Sequence, residues 1–127
     1  MTVGDFLMCI DSEERKRTGY DSPDAGLLWT KGEDFGDHED ILLRKNCARI
    51  LHRYMQKVMG KRDLTEGLTT REQVRDLYDC RICAVHISQI LANGIMNTHD
   101  INGLKLFEGN LEVRKEEAMI YISRMFE

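Results

Sequence analysis

The stretch Leu43-Arg-Lys-Asn-Cys-Ala-Arg-Ile50 is answered further along the chain by Val113-Arg-Lys-Glu-Glu-Ala-Met-Ile120. Aligned at a shift of 70 residues (44 to 114), Arg44, Lys45, Ala48, Ile50 and Met55 fall on Arg114, Lys115, Ala118, Ile120 and Met125. The lead-ins agree as well: Gly26-Leu-Leu28 followed by Phe35-Gly36 matches Gly94-Ile-Met96 followed by Phe107-Glu-Gly109. Two amphipathic helices can share apolar positions by chance. Shared Arg-Lys, Gly and Phe at matching loop places point instead to duplication of one unit. Each copy reads as a glycine after a helix, two apolar residues, a loop with Phe and Gly, and Arg-Lys opening a second helix.

Outward from these stretches the pattern is helical. Val3, Phe6, Leu7 and Ile10 have i, i+3, i+4, i+7 spacing and predict a helix over 2–14. Residues 19–36 hold Pro23 and several glycines and read as loop. A second helix is expected over 43–59, with Cys47, Ala48, Leu51, Tyr54, Met55 and Val58 on its apolar face and Gly60 as its stop. Residues 61–67 form a polar connector, and Thr70-Arg-Glu-Gln73 fits a capping box that opens a short helix. Asp79 is placed to cap a helix over 80–93, with Ile82, Cys83, His86, Ile87, Ile90 and Leu91 on one side and Gly94 at its end. Residues 97–110 read as loop, extended at Leu104–Phe107, before a last helix over 113–126 that buries Ala118, Tyr121, Ile122 and Met125. The expected fold is mostly α, a single domain over 1–127. It divides into a degenerate N-terminal repeat (1–60) and a C-terminal repeat (68–127) joined by long structured loops.

The chain of 127 residues is long enough to bury a core without disulfide or metal staples. Its net charge of −4 gives it no long-range attraction to nucleic acid or to anionic lipid, so neither is an expected partner. No stretch approaches the roughly 20 apolar residues of a membrane span. Residues 1–11 lack the basic and long apolar regions of a signal peptide, which predicts a cytoplasmic protein. On that reading Cys9, Cys47, Cys80 and Cys83 are expected as reduced thiols rather than a disulfide framework.

The repeated unit resembles the S-layer homology (SLH) repeat. That family's unit is a helix, a Gly-Ile/Val exit, a loop ending near a Phe, and a second helix opened by a Thr-Arg-Ala-Glu-like motif. The second copy resembles it from Asp76-Leu-Tyr-Asp79 to Phe126, with Gly94-Ile95-Met96, Phe107 and Val113-Arg-Lys-Glu116 in the matching places. The first copy resembles it from about Ala25 to Met55, with Asn46 where the motif has Glu. The resemblance implies tandem helix-loop-helix repeats and a binding module for anionic, often pyruvylated, cell-wall polysaccharide at the cell surface. The chain departs from the family in showing about one and a half repeats, in its four cysteines, and in its N-terminus. These departures favour an alternative, an intracellular protein-interaction or regulatory module on the same fold.

A cation at a helix start opposes the macrodipole, so Arg-Lys there twice predicts a nearby anion. The functional reading is an external carboxylate held by either Arg44 with Lys45 or Arg114 with Lys115, together with helix-end N–H groups, with Glu116 as the surviving motif acid. The structural reading, preferred because acids flank both pairs, is an internal salt bridge to Glu39, Asp40, Glu112 or Glu116. Trp29 is a candidate stacking platform for a sugar, with a half-buried loop anchor as the preferred reading.

Cys80-Arg-Ile-Cys83 with His86 places three metal-type ligands near one helix face, and Cys47 or His52 would complete a zinc set. Core packing is the preferred reading, since no second C-x-x-C exists. A redox pair ranks lower because no βαβ pattern surrounds it. His38 and His99 are expected in solvent, and His52 and His86 at helix boundaries. No nucleophile-base-acid cluster or phosphate loop is present, so no catalytic function and no cofactor is expected. An incomplete repeat set leaves apolar surface bare, which predicts self-association.

Overall fold

The computed structural model describes residues 1–19 and 28–127. Within them the order is helix α1 (Val3–Thr18), a 3-10 turn (Leu28–Thr30), α2 (Arg44–Lys57), α3 (Arg81–Ala92), strands β1 (His99–Ile101) and β2 (Leu104–Leu106), and α4 (Lys115–Phe126). Ala25, Gly26 and Leu27, part of the first copy's expected lead-in, lie outside the described residues.

Helix α1 opens on a full capping box. Thr2 Oγ1 accepts from the Asp5 N–H (3.1 Å), and Asp5 Oδ2 accepts from the Thr2 N–H (3.2 Å). Val3, Phe6, Leu7 and Ile10 are buried, as their spacing requires. The helix runs four residues past its expected end because ion pairs replace apolar spacing in its last turns. Asp11–Arg15 (2.8 Å), Glu13–Lys16 (3.4 Å) and Glu13–Arg17 (3.7 Å) sit at i+3 or i+4. Gly19, at φ 70°, closes it with an N–H to the Arg15 carbonyl.

Helix α2 buries Cys47, Ala48, Leu51, Tyr54 and Met55 and packs mainly on α3. Full burial of Leu51 and Tyr54 stabilises the fold by roughly 1.5–3 kcal/mol each. Helix α3 is capped at Cys80, one residue later than the expected Asp79, and ends in a reversal at Gly94 (φ 71°). Its buried face holds Cys83, Ala84, Ile87 and Ile90, whereas Ile82 faces solvent. The short helix expected at Thr70 is a set of turns instead. Thr70 does donate its N–H to Gln73 Oε1 (3.0 Å), but the Arg75 N–H turns away to the Lys105 carbonyl (3.2 Å). Only Val74 and Leu77 of this segment are buried at its core side.

Strands β1 and β2 form an antiparallel hairpin with Ile101 opposite Leu104. Its two-residue turn, Asn102-Gly103, has positive φ at both positions (51° and 80°), the geometry that an Asn-Gly pair favours. The buried cluster draws on all four helices and on Phe35, Leu42, Phe107 and Val113.

The helix starts share one docking pattern. Val3 and Gly4 donate their N–H groups to the carbonyls of Asp40 and His38, and Leu42 donates to Met1. Arg44 and Lys45 likewise donate to Leu111 and Gly109, and Val113 donates to Leu42. The donors shift by 41 residues (3 to 44, 4 to 45) and the docked segment by 71 (38 to 109, 40 to 111, 42 to 113). Isolated bridges Thr2–Ile41 and Leu43–Glu112 follow the same two shifts. Both junctions are too close for two side chains. A Cβ on Gly4 would lie 3.0 Å from His38 Cβ, and one on Gly109 would lie 3.1 Å from Lys45 Cβ.

This pattern corrects the alignment drawn from the sequence. The N-caps are Thr2, Leu43 and Arg114, so Arg44 corresponds to Lys115 and Leu43 to Arg114. The Arg-Lys pairs are offset by one residue along their helices.

Candidate functional site

Arg44 is the first residue of α2, and its side chain turns inward from the helix start. It is 2 % exposed. Its Nε donates to the Phe107 carbonyl (2.8 Å), Nη1 to the Tyr121 hydroxyl (3.0 Å) and Nη2 to the Asn97 carbonyl (2.5 Å). The guanidinium also lies 4.7 Å from the centre of the Phe107 ring. One side chain thus ties α2 to the loop after α3, to the end of the hairpin and to α4. The expected internal role takes neutral oxygens as partners, not Glu39, Asp40, Glu112 or Glu116. Burial pushes the Tyr121 hydroxyl up from its ordinary range, with the Arg44 charge opposing it.

The Phe107 segment is held from the other side by Asp76. Its two carboxylate oxygens accept the N–H groups of Phe107 (2.7 Å) and Glu108 (2.8 Å). That clamp fixes Glu108 at φ 57°, a conformation non-glycine residues rarely adopt, and Glu108 Oε2 in turn meets His99 Nδ1 at 2.5 Å. His99 is therefore paired. Asp76 was visible in sequence only as the opening residue of the second copy, because nothing in its spacing signals a contact 31 residues away.

Arg114, Lys115 and Glu116 are all exposed. Arg114 caps α4 and donates its backbone N–H to Glu117 Oε1 (3.1 Å), so Glu117, not Glu116, holds the capping acid's place. Arg114 borders an open depression together with Arg44, His99, Leu111, Glu112, Glu116 and Glu117. Three carboxylates line that depression, which works against a bound anion. Lys115 lies away from it, beside Met1, Asp5, Met8, Cys9 and Ser12. Lys45 faces elsewhere again, into a cavity of about 290 Å³ with Asp76, Asp79, Cys80, Ile87 and Phe107. In neither Arg-Lys pair do the two cations border the same depression.

Trp29 is half-buried, edge-on to Tyr54 (5.4 Å between ring centres) and tilted to Phe35 (5.8 Å). Its carbonyl accepts from Lys57 Nζ (3.1 Å), while its buried indole N–H meets no acceptor among the described residues. Its ring contacts tie the 28–35 segment to α2.

The cysteine pair departs from expectation. Cys80 and Cys83 are joined in a disulfide, whereas Cys9 and Cys47 are free. Burial pushes the Cys47 thiol far above its ordinary range. Because the two sulfurs of Cys80 and Cys83 bond each other, the set with His86 does not form, and among the described residues no group of three His, Cys, Asp or Glu side chains could hold a metal. His86 pairs elsewhere. Its Nδ1 lies 2.7 Å from Nδ1 of the buried His52, whose Nε2 lies 2.7 Å from Asp63 Oδ1. Both histidines are inside helices, not at their boundaries. Burial, followed by the charges of His52, Arg49 and Arg53, pushes His86 down to about 4. Burial raises Asp63, but hydrogen bonds from His52 and Gln56 outweigh it and hold the carboxyl below its usual range.

No helix among the described residues is long and apolar enough to cross a membrane. No family model, no curated protein and no solved structure matches the chain.

Proposed function

We propose that the chain is a non-catalytic protein-interaction module built on an SLH-like helix-loop-helix frame, with the motif arginine turned to internal use. The observation that carries this reading is Arg44, whose three guanidinium nitrogens each donate to an oxygen of the chain itself. Three of its five N–H donors are spent on the chain itself, and at 2 % exposure the group offers an outside carboxylate little access. The lead-ins of α2 and α4, which dock alike at a shift of 71 residues, support a repeated second helix. Exposed Ile82 and Val85 on α3, with Tyr78 just before it, supply apolar surface of the kind a protein partner covers.

A second reading, recognition of an anionic cell-wall polysaccharide, is favoured by one observation: Arg114 and Lys115 stand exposed at the start of α4. Sedimentation with purified wall fragments separates the two. The interaction reading predicts no co-sedimentation, together with a complex of fixed stoichiometry with a protein partner in size-exclusion chromatography with light scattering. Wall binding that disappears in an Arg114→Ala/Lys115→Ala variant of unchanged melting temperature would establish the polysaccharide reading instead.

A further inference from the structure

We infer that the Cys80–Cys83 disulfide is a thiol–disulfide exchange site, opened through Cys80 by a neutral or cationic dithiol. The two cysteines occupy the N-cap and third positions of α3. The helix backbone itself holds these two positions close, with 5.2 Å between their Cα atoms, so the pair stays juxtaposed whether bonded or free. The loop it closes spans three residue steps, and chain-entropy stabilisation is smallest for short loops. As a staple it contributes least; as a pair that opens and recloses it is well placed.

The two sulfurs differ in access. Cys80 is half-buried and borders the 290 Å³ cavity, whereas Cys83 is 1 % exposed and does not line it. An incoming thiolate therefore reaches Cys80 Sγ. The new S–S bond forms there, the Cys80–Cys83 bond breaks, and its electron pair leaves on Cys83 Sγ. That sulfur sits in the first turn of α3, where the helix N–H groups favour a thiolate before it takes a proton. The second thiol of the same reductant then attacks its own sulfur in the mixed disulfide and releases Cys80. The external dithiol is oxidised by two electrons and the protein disulfide is reduced by two.

The cavity wall sets the reductant's charge. Asp76, Asp79 and Glu108 line it against the single cation Lys45. The thiolate of an anionic thiol such as glutathione carries one more negative charge than that of a neutral dithiol, and so meets greater repulsion.

The test uses the full, oxidised chain under native conditions. Dithiothreitol and reduced glutathione are compared at equal thiol concentration, followed by acid quench, alkylation and peptide mass spectrometry. The expected result is reduction of Cys80 and Cys83 with unchanged far-UV circular dichroism and reoxidation by oxidised dithiothreitol. Dithiothreitol should react on the order of tenfold faster than glutathione. In Cys83→Ser, Cys80 should be alkylated by iodoacetamide on the order of tenfold faster than Cys83 in Cys80→Ser. A disulfide that resists excess dithiothreitol until the chain is denatured, a reduction that unfolds the protein, or equal reactivity of the two single thiols would overturn the proposal. Equal rates with the two reductants would overturn the charge selection.

Discussion

Replacing Arg44 with alanine strips three internal oxygens of their donors at once. Hydrogen bonds to a charged group contribute about 1.5–3 kcal/mol each, but relaxation and water entry recover part of that, so the three do not add fully. Each neutral oxygen left without its donor costs about 1–3 kcal/mol, and after partial relaxation the expected loss for Arg44→Ala is about 3–5 kcal/mol. For a chain of this size the loss corresponds to a fall in melting temperature on the order of 10–20 °C. Urea unfolding followed by circular dichroism gives the difference directly. Arg44→Lys should recover only part of it, because an ammonium lacks the planar fork that spans Phe107, Tyr121 and Asn97. Arg114→Ala, at an exposed site, should stay within about 0.5 kcal/mol of the parent. A loss below about 1 kcal/mol in Arg44→Ala, or equal losses at the two arginines, would refute the account of Arg44 as an internal tie.

Three further outcomes follow from the same contacts. Gly4→Ala should destabilise by about 1–3 kcal/mol in urea unfolding, although alanine is the better helix former, since the added Cβ would meet His38 at 3.0 Å. Asp76→Ala should cost about 2–3 kcal/mol by leaving the Phe107 and Glu108 N–H groups without an acceptor, and hydrogen exchange at those two amides should accelerate. His86 has a folded pKa of about 4, below the ordinary 6.5, so the unfolded chain binds its proton first as pH falls. Its contribution is present above pH 6.5 and is lost as pH falls from 6.5 to about 4, and His86→Phe should flatten that part of the stability–pH curve.

The parts of the fold written in local spacing were legible. Apolar residues at helical intervals marked all four helices, and Gly19, Gly60 and Gly94 sit at positive φ where helices stop. What escaped was carried by polar contacts without periodicity. The ion pairs that extend α1 are charges, invisible to an apolar pattern. The hairpin had a signal, Asn102-Gly103, that the weak alternation around it obscured. The His52–His86 contact joins two helices 34 residues apart, and Asp76 reaches across 31, distances at which single residues in a sequence carry no mark of each other. The turn segment at 70–80 had the chemistry of a helix start but too few buried residues to continue as one.

The arginines show how a small error of register changes a functional argument. Arg-Lys recurs at a shift of 70, and the eye aligns identical letters. The docked segments recur at 71 and the N-caps of α2 and α4 lie 71 apart, and these set which residue stands at which helix position. In that register the first helical place is held by Val3, Arg44 and Lys115 in turn, and the capping place by Thr2, Leu43 and Arg114. The place one turn further in holds Phe6, Cys47 and Ala118, all buried, and the next holds Ile10, Leu51 and Ile122, also buried. An apolar Val3 fills the first place in α1, a tethered guanidinium fills it in α2, and an exposed lysine occupies it in α4. The position therefore has no fixed demand for a cation. Arg44 is charged because its own surroundings offer three oxygens, and a shared anion is not needed to explain it.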